Sequence, residues 1–262
     1  LTFSPKISRR GLLAAGGAAA MLAQPRRARA AADTLRFGLS TYPPSLAMWQ
    51  NGGAAAGTVK IQISRSLVSY DAQGNLRPEL AESWTQPDPV TTIFKLREGA
   101  KFHDGSKVDA DAVRNYFETV AAPTSTAYLR STFQQIARID TPDATTVKVT
   151  LKEPSASFLL ELATYHAGML APKSTEQNQI GAGPYRIADI ERGTHIDLEA
   201  FDGYYRPGKP ATRKLRFQVY ADENLRVAAL QAGDVDLIEY VPWASMKAIE
   251  ANPKLALLTT DG

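Results

Sequence analysis

Apolar and polar residues alternate along several short runs of this chain and recur at helical spacing along longer ones. Across residues 146–151 the alternation is strict, with Val147, Val149 and Leu151 on one side and Lys148 and Thr150 on the other, which predicts a half-buried strand. Period-two runs at 35–39, 92–96, 195–199 and 215–219 predict four more strands, with Ile196, Leu198 and Phe217 facing inward. Val113, Tyr116, Phe117 and Val120 fall at i, i+3, i+4 and i+7, so a helix is expected there, capped by Asp109. A second helix is expected from Asp222 through Leu225, Ala228, Ala229 and Leu230 to Gly233, followed by a strand at 235–238. Residues 61–70 suit either a helix or a strand. Turn chemistry separates these runs at Tyr42-Pro43-Pro44, at 71–75, at His103-Asp104-Gly105 and at 202–208. Strands and helices interleave without a regular βαβ beat, which predicts an α/β protein with a mixed sheet rather than a barrel.

A length of 262 residues allows one large domain or two ordinary ones with a real core. The formal charge of +3 is unevenly placed. Residues 1–30 hold the six cations Lys6, Arg9, Arg10, Arg26, Arg27 and Arg29 and no acid, leaving 24 cations against 27 acids in the remainder. A slightly acidic body argues against a nucleic-acid partner, because phosphate binding needs a basic patch on the folded domain. Cysteine is absent, which excludes a disulfide scaffold, Cys-ligated zinc and thiol catalysis.

Those first thirty residues have the order of an export signal. Arg9-Arg10 precedes Gly11-Leu12-Leu13 and a small-residue apolar run to Ala23, then basic residues and Ala28-Arg29-Ala30. The segment resembles a twin-arginine signal cleaved near Ala30, and its apolar part is too short and too weakly hydrophobic to anchor the chain in a bilayer. A soluble, periplasmic protein without a membrane anchor is expected.

Chemistry-bearing motifs are scarce. G-x-S-x-G, H-E-x-x-H and G-x-G-x-x-G do not occur. Gly203 to Lys209 has the spacing of a phosphate loop, but Pro210 follows where a magnesium-binding hydroxyl belongs. His103, His166 and His195 lie far apart, and none has a second metal-type ligand at useful helical spacing, so no metal and no cofactor are expected. The pairs Asp109/Asp111 and Asp234/Asp236 suit a helix start and a turn.

Residues 75–84, Asn-Leu-Arg-Pro-Glu-Leu-Ala-Glu-Ser-Trp, followed by 93–105, Ile-Phe-Lys-Leu-Arg-Glu-Gly-Ala-Lys-Phe-His-Asp-Gly, resemble the signature region of family 5 extracellular solute-binding proteins. Three further blocks agree in order: 109–117, Gly181-Ala182-Gly183-Pro184-Tyr185-Arg186, and 226–236. The resemblance implies a type II periplasmic-binding-protein fold with mixed sheets. Its first lobe is expected from residues 31–62 and 181–262, with a small α/β domain, residues 63–180, inserted in it. It further implies that the second lobe lies outside this sequence, that the chain is the front half of a longer product, and that this half alone is poorly stable.

The implied function is that of an ABC importer's binding component, which closes about a peptide or similar small molecule and delivers it to a membrane permease as a monomer. Ligands in open α/β sheets sit at the carboxyl ends of strands, which nominates Tyr42 and Trp49 after the first strand and Tyr240 and Trp243 after the strand ending near Ile238. Arg130 and His166 are further candidates in the inserted part. An exported hydrolase with a convergent active site, or a chaperone-like or sensor-coupled binding protein, are the competing functions.

Overall fold

The structure, a computed structural model, describes residues 33–50, 52–175 and 178–258. The signal-like segment of residues 1–30 lies outside the described residues.

Eleven strands and six α-helices follow one another among the described residues. The first strand, β1 (Thr34–Leu39), leads through a Pro-punctuated loop to α1 (Gly53–Ile63), and the short pair β2 (Val68–Tyr70) and β3 (Leu76–Pro78) follows. Then come β4 (Ala81–Asp88), β5 (Thr91–Leu96), α2 (Ala110–Ala121), α3 (Arg130–Phe133), β6 (Ile136–Asp143), β7 (Thr146–Leu151) and α4 (Phe158–Leu162). After a single 3-10 turn at Tyr165–Ala167, the chain forms β8 (Tyr185–Glu191), β9 (His195–Ala200), β10 (Lys214–Val219), α5 (Glu223–Ala232), β11 (Leu237–Ile238) and α6 (Trp243–Glu250).

Two larger sheets result. One is antiparallel, in the order β4-β5-β7-β6. The other is mixed, in the order β11-β1-β10-β9-β8, with β1 parallel to both β10 and β11 and antiparallel pairing from β10 to β8. This is the mixed α/β architecture expected from the interleaved pattern. The mixed sheet draws its strands from two separated parts of the chain, and the antiparallel sheet forms entirely from the part between them.

The predicted helices form for the predicted reasons. Asp109 accepts a hydrogen bond from the Ala112 amide at 2.9 Å, and Val113, Tyr116, Phe117 and Val120 are buried. Asp222 caps α5 through the amides of Asn224 and Leu225, and Gly233 ends the helix at φ 81°. Helix α1 has no apolar stripe, because Ala55, Ala56, Gly57, Val59, Lys60 and Ile63 are buried around most of its circumference.

Two junctions tie the parts of the chain together. At Gly181 and Gly183 the backbone approaches the last turn of α1 so closely that a Cβ would stand 2.1 Å from the Ile63 carbonyl oxygen and 2.4 Å from that of Gln62. His103 donates its amide to the Gly181 carbonyl at 2.9 Å and pairs its Nε2 with the Gly183 carbonyl at 3.1 Å. Burial lowers its imidazole pKa to about 4.

The second junction is Glu79, whose side chain is 1% exposed. Its carboxylate meets Arg65 at 3.6 Å, Arg77 at 3.1 Å and Arg206 at 2.6 Å, and accepts a hydrogen bond from the Tyr205 hydroxyl. Three arginines from separate segments thus converge on one buried acid. The mixed sheet buries Leu215, Phe217, Ile196 and Leu198 on one face. Its other face carries a polar ladder: Arg36 with Asp236 at 2.9 Å, Arg216 with Asp197 at 2.5 Å, and Arg186 with Glu199 at 2.7 Å.

Candidate functional site

Because β10, β1 and β11 run parallel, their carboxyl ends share one edge of the mixed sheet. That edge is fastened by polar side chains and backbone groups. The Tyr220 amide donates to the Leu39 carbonyl at 2.9 Å, and Ser40 donates its amide and hydroxyl to the Glu239 carboxylate at 2.8 and 2.6 Å. Arg226 of α5, only 3% exposed, donates to the carbonyls of Tyr220, Glu239 and Tyr240 at 2.7, 3.0 and 3.1 Å. A buried guanidinium therefore satisfies three backbone acceptors at once.

The residues so held are exposed. Tyr240 is 63% accessible at φ 53°, a left-handed conformation uncommon outside glycine, and Trp243, at the start of α6, is 88% accessible. Tyr42 lies beyond the other strand end, half-buried against the core, and lines a 330 Å³ surface cavity with Ile190 and Arg192. Burial raises its phenol pKa.

A second cluster forms farther along the loop after β1. The Trp49 carbonyl accepts the Tyr128 amide at 2.8 Å. The Tyr128 ring stacks on the His166 imidazole with centroids 4.2 Å apart, and the Tyr165 ring lies 3.8 Å from the same imidazole. Both His166 ring nitrogens are buried without a hydrogen-bond partner. Burial, with a smaller contribution from the Lys60 charge, lowers the imidazole pKa to about 4, so the ring is neutral near pH 7.

Lys60 itself is fully buried, donates to the Gln50 carbonyl at 2.7 Å and lies 5.7 Å from the centre of the Tyr165 ring. Burial brings its ammonium pKa down to about 8. Arg130 begins α3 two residues after Tyr128, with its Nε buried and unpartnered. Trp49 and Tyr116 line a 320 Å³ cavity bordered by Thr119, Ser125, Thr126 and Leu170.

The six nominated residues thus fall into three groups. Trp49 and His166 come together through Tyr128, with Arg130 on the adjoining turn; Tyr240 and Trp243 stand on the fastened sheet edge; Tyr42 lines its own cavity. Sequence reasoning missed Lys60, Tyr128, Tyr165 and Arg226. A lysine in an Ala-rich helix reads as a solvated end, and an arginine after Leu225 reads as the wet face of α5. The Pro-Thr-Ser-Thr-Ala-Tyr run before Arg130 was the available signal for Tyr128. The side chains gathered at these places are aromatic rings, hydroxyls and the Arg130 guanidinium, which offer apolar faces and hydrogen-bond donors. Among the described residues, the one group of three or more side chains able to hold a metal ion is Asp189, His195 and Asp197, on the polar face of the mixed sheet.

The family model for bacterial extracellular solute-binding proteins, family 5 middle, matches residues 75–262. The glutathione-binding protein GsiB of Pectobacterium atrosepticum is 32% identical over 97% of this chain and 50% of its own length. The solved structure of AgaA from A. tumefaciens R10, a periplasmic binding protein in complex with agropinic acid, matches with a TM-score of 0.78 and 38% identity, covering 84% of this chain and 46% of that one. The Escherichia coli murein tripeptide binding protein MppA shares the fold, at a TM-score of 0.77 and 20% identity over 84% of this chain and 48% of its own. The chain spans about half the length of the curated relatives it matches. Among the described residues, no helix is long and apolar enough to cross a membrane.

Proposed function

We propose that this chain, which belongs to the bacterial extracellular solute-binding proteins of family 5, is the binding component of an ABC importer and grips a peptide or similarly small amphoteric solute. Residues 31–62 and 181–262 form its first lobe, and residues 63–180 a domain inserted in that lobe. Closing this lobe against a second one traps the solute, and the closed form hands it to a membrane permease. No bond is made or broken. The twin-arginine-like residues 1–30 direct the protein to the periplasm, where it works as a soluble monomer.

The observation that carries this proposal is the fastened sheet edge. Arg226 fixes the backbone beneath Tyr240 while leaving that ring and Trp243 exposed, which is how a rigid scaffold presents aromatic contacts to a solute. The cluster of Trp49, Tyr128, His166 and Arg130 supplies further ring faces and a guanidinium. The relatives' names agree with the solute class: glutathione and a murein tripeptide are peptides, and agropinic acid is a small acid.

Titrating the full-length protein with glutathione, a free tripeptide and agropinic acid, while following tryptophan fluorescence, tests it. Saturable one-to-one binding is expected for at least one of them, with chemically unchanged solute recovered by mass spectrometry. Trp49→Ala and Trp243→Ala should each weaken binding by about tenfold or more. A converted product, or no saturable response to any of the three, overturns it.

A further inference from the structure

The β8–β9 hairpin carries a constellation that solute capture does not use. Asp189 pairs with Asp197, and Glu191 with His195, across the two strands, so all four side chains project from the same polar face. His195 Nε2 lies 3.1 Å from an Asp189 carboxylate oxygen and 3.8 Å from one of Asp197. The three candidate donor atoms lie within 4.8 Å of one another. Two donors sharing a metal at about 2.0–2.1 Å stand about 2.9–3.4 Å apart, so the first spacing already fits and the second needs a shift of a few tenths of an ångström.

The surroundings have the pattern that supports metal ligands. Glu191 lies 3.4 Å from the other imidazole nitrogen, Nδ1, where its carboxylate can accept the ring proton once a metal ion takes Nε2. Arg216 grips Asp197 through two hydrogen bonds of 2.7 and 2.5 Å, which sets the orientation of its carboxylate. Three carboxylates, those of Asp189, Glu191 and Asp197, face the Arg216 guanidinium and the Lys214 ammonium, which leaves the cluster net negative. His195 is 13% exposed and Asp197 24%, while Asp189 is 67% exposed and leaves an open side for entry. One imidazole and two carboxylates suit a first-row transition ion better than magnesium or calcium, which prefer all-oxygen shells.

We propose that Asp189, His195 and Asp197 form a site for a divalent first-row transition ion such as Zn²⁺, with Glu191 and Arg216 as its positioning residues. Bound there, the ion links β8, an edge strand of the mixed sheet, to β9.

Untagged full chain titrated with Co²⁺ should take up about one equivalent and develop visible d–d absorption that Zn²⁺ abolishes. His195→Gln should lose the absorption, and Asp189→Asn should weaken binding by more than about tenfold. Zn²⁺ should raise Tm in the unaltered chain and not in His195→Gln. In the unaltered chain, Zn²⁺ should also slow diethylpyrocarbonate modification of His195, mapped by mass spectrometry, a readout independent of how well the variants fold. Absence of the absorption, persistence of the Zn²⁺-induced Tm shift in His195→Gln, or equal modification of His195 with and without Zn²⁺ overturns the proposal.

Discussion

Replacing Glu79 by glutamine removes one charge at nearly constant volume and leaves Arg65, Arg77 and Arg206 facing a neutral amide. Loss of one partner of a buried ion pair costs about 3–5 kcal/mol when the other partner is equally buried. Here the three arginine side chains are 24%, 38% and 35% exposed, so part of each charge remains hydrated and the lower end applies. A loss of about 3 kcal/mol is expected, which for a protein of this size lowers Tm by about 6–12 °C. Calorimetry and urea unfolding of the full chain measure it. The exposed pair Arg186–Glu199, with side chains 52% and 42% accessible, is the internal control: Glu199→Gln should cost less than about 1 kcal/mol. A double-mutant cycle with Arg206→Met assigns the effect to the pair rather than to altered packing. If Glu79→Gln and Glu199→Gln shift Tm equally, burial of the acid is not what makes this junction strong.

Acid should weaken the fold between about pH 6.5 and pH 4. His103 and His166 have their pKa values lowered from 6.5 to about 4, so in that window the unfolded chain takes up protons that the native chain refuses, and stability falls as pH falls. Urea midpoints across the range check this, and His166→Phe should give a shallower acid slope. Gly181→Ala forces a Cβ against the Ile63 carbonyl and should cost about 1–3 kcal/mol by thermal unfolding. Tyr240→Gly relieves the left-handed backbone at φ 53° and should raise stability by up to about 1 kcal/mol, while solute affinity, read by fluorescence titration, falls.

Elements whose side chains face water on one side and the core on the other were legible in the sequence: α2, β7, β9 and β10 announce themselves through period and cap. Helix α1 was not, because burial around most of its surface erases the stripe that marks a helix. The edge strands β4 and β6 were hidden for the opposite reason. β4 is mostly exposed and β6 exposed or half-buried throughout, each contains a proline, and both pair through irregular registers, so no alternation survives. In α5 the sequence drew attention to Leu225, which is 64% exposed, while the neighbouring Arg226 is buried; its three carbonyl partners lie outside the helix, and only the folded chain brings them to it. The histidines were weighed for partners at helical spacing, whereas His195 finds Asp197 at strand spacing and Asp189 across a hairpin. The nominated aromatics rested on strand ends, and the geometry separates them into clusters that the linear order does not reveal.

The buried guanidinium beneath the sheet edge works as a keystone. Two chain segments, at Tyr220 and at Glu239-Tyr240, lean on one side chain, so the outward-facing rings above it can be exchanged without disturbing what supports them. A library that randomises Tyr240 and Trp243 while leaving Arg226 untouched should consist mostly of folded members differing in what they grip, whereas randomising the arginine should yield members that grip nothing because the edge itself has slackened. On the proposed function, the freedom to change cargo and the duty to hold shape belong to different residues.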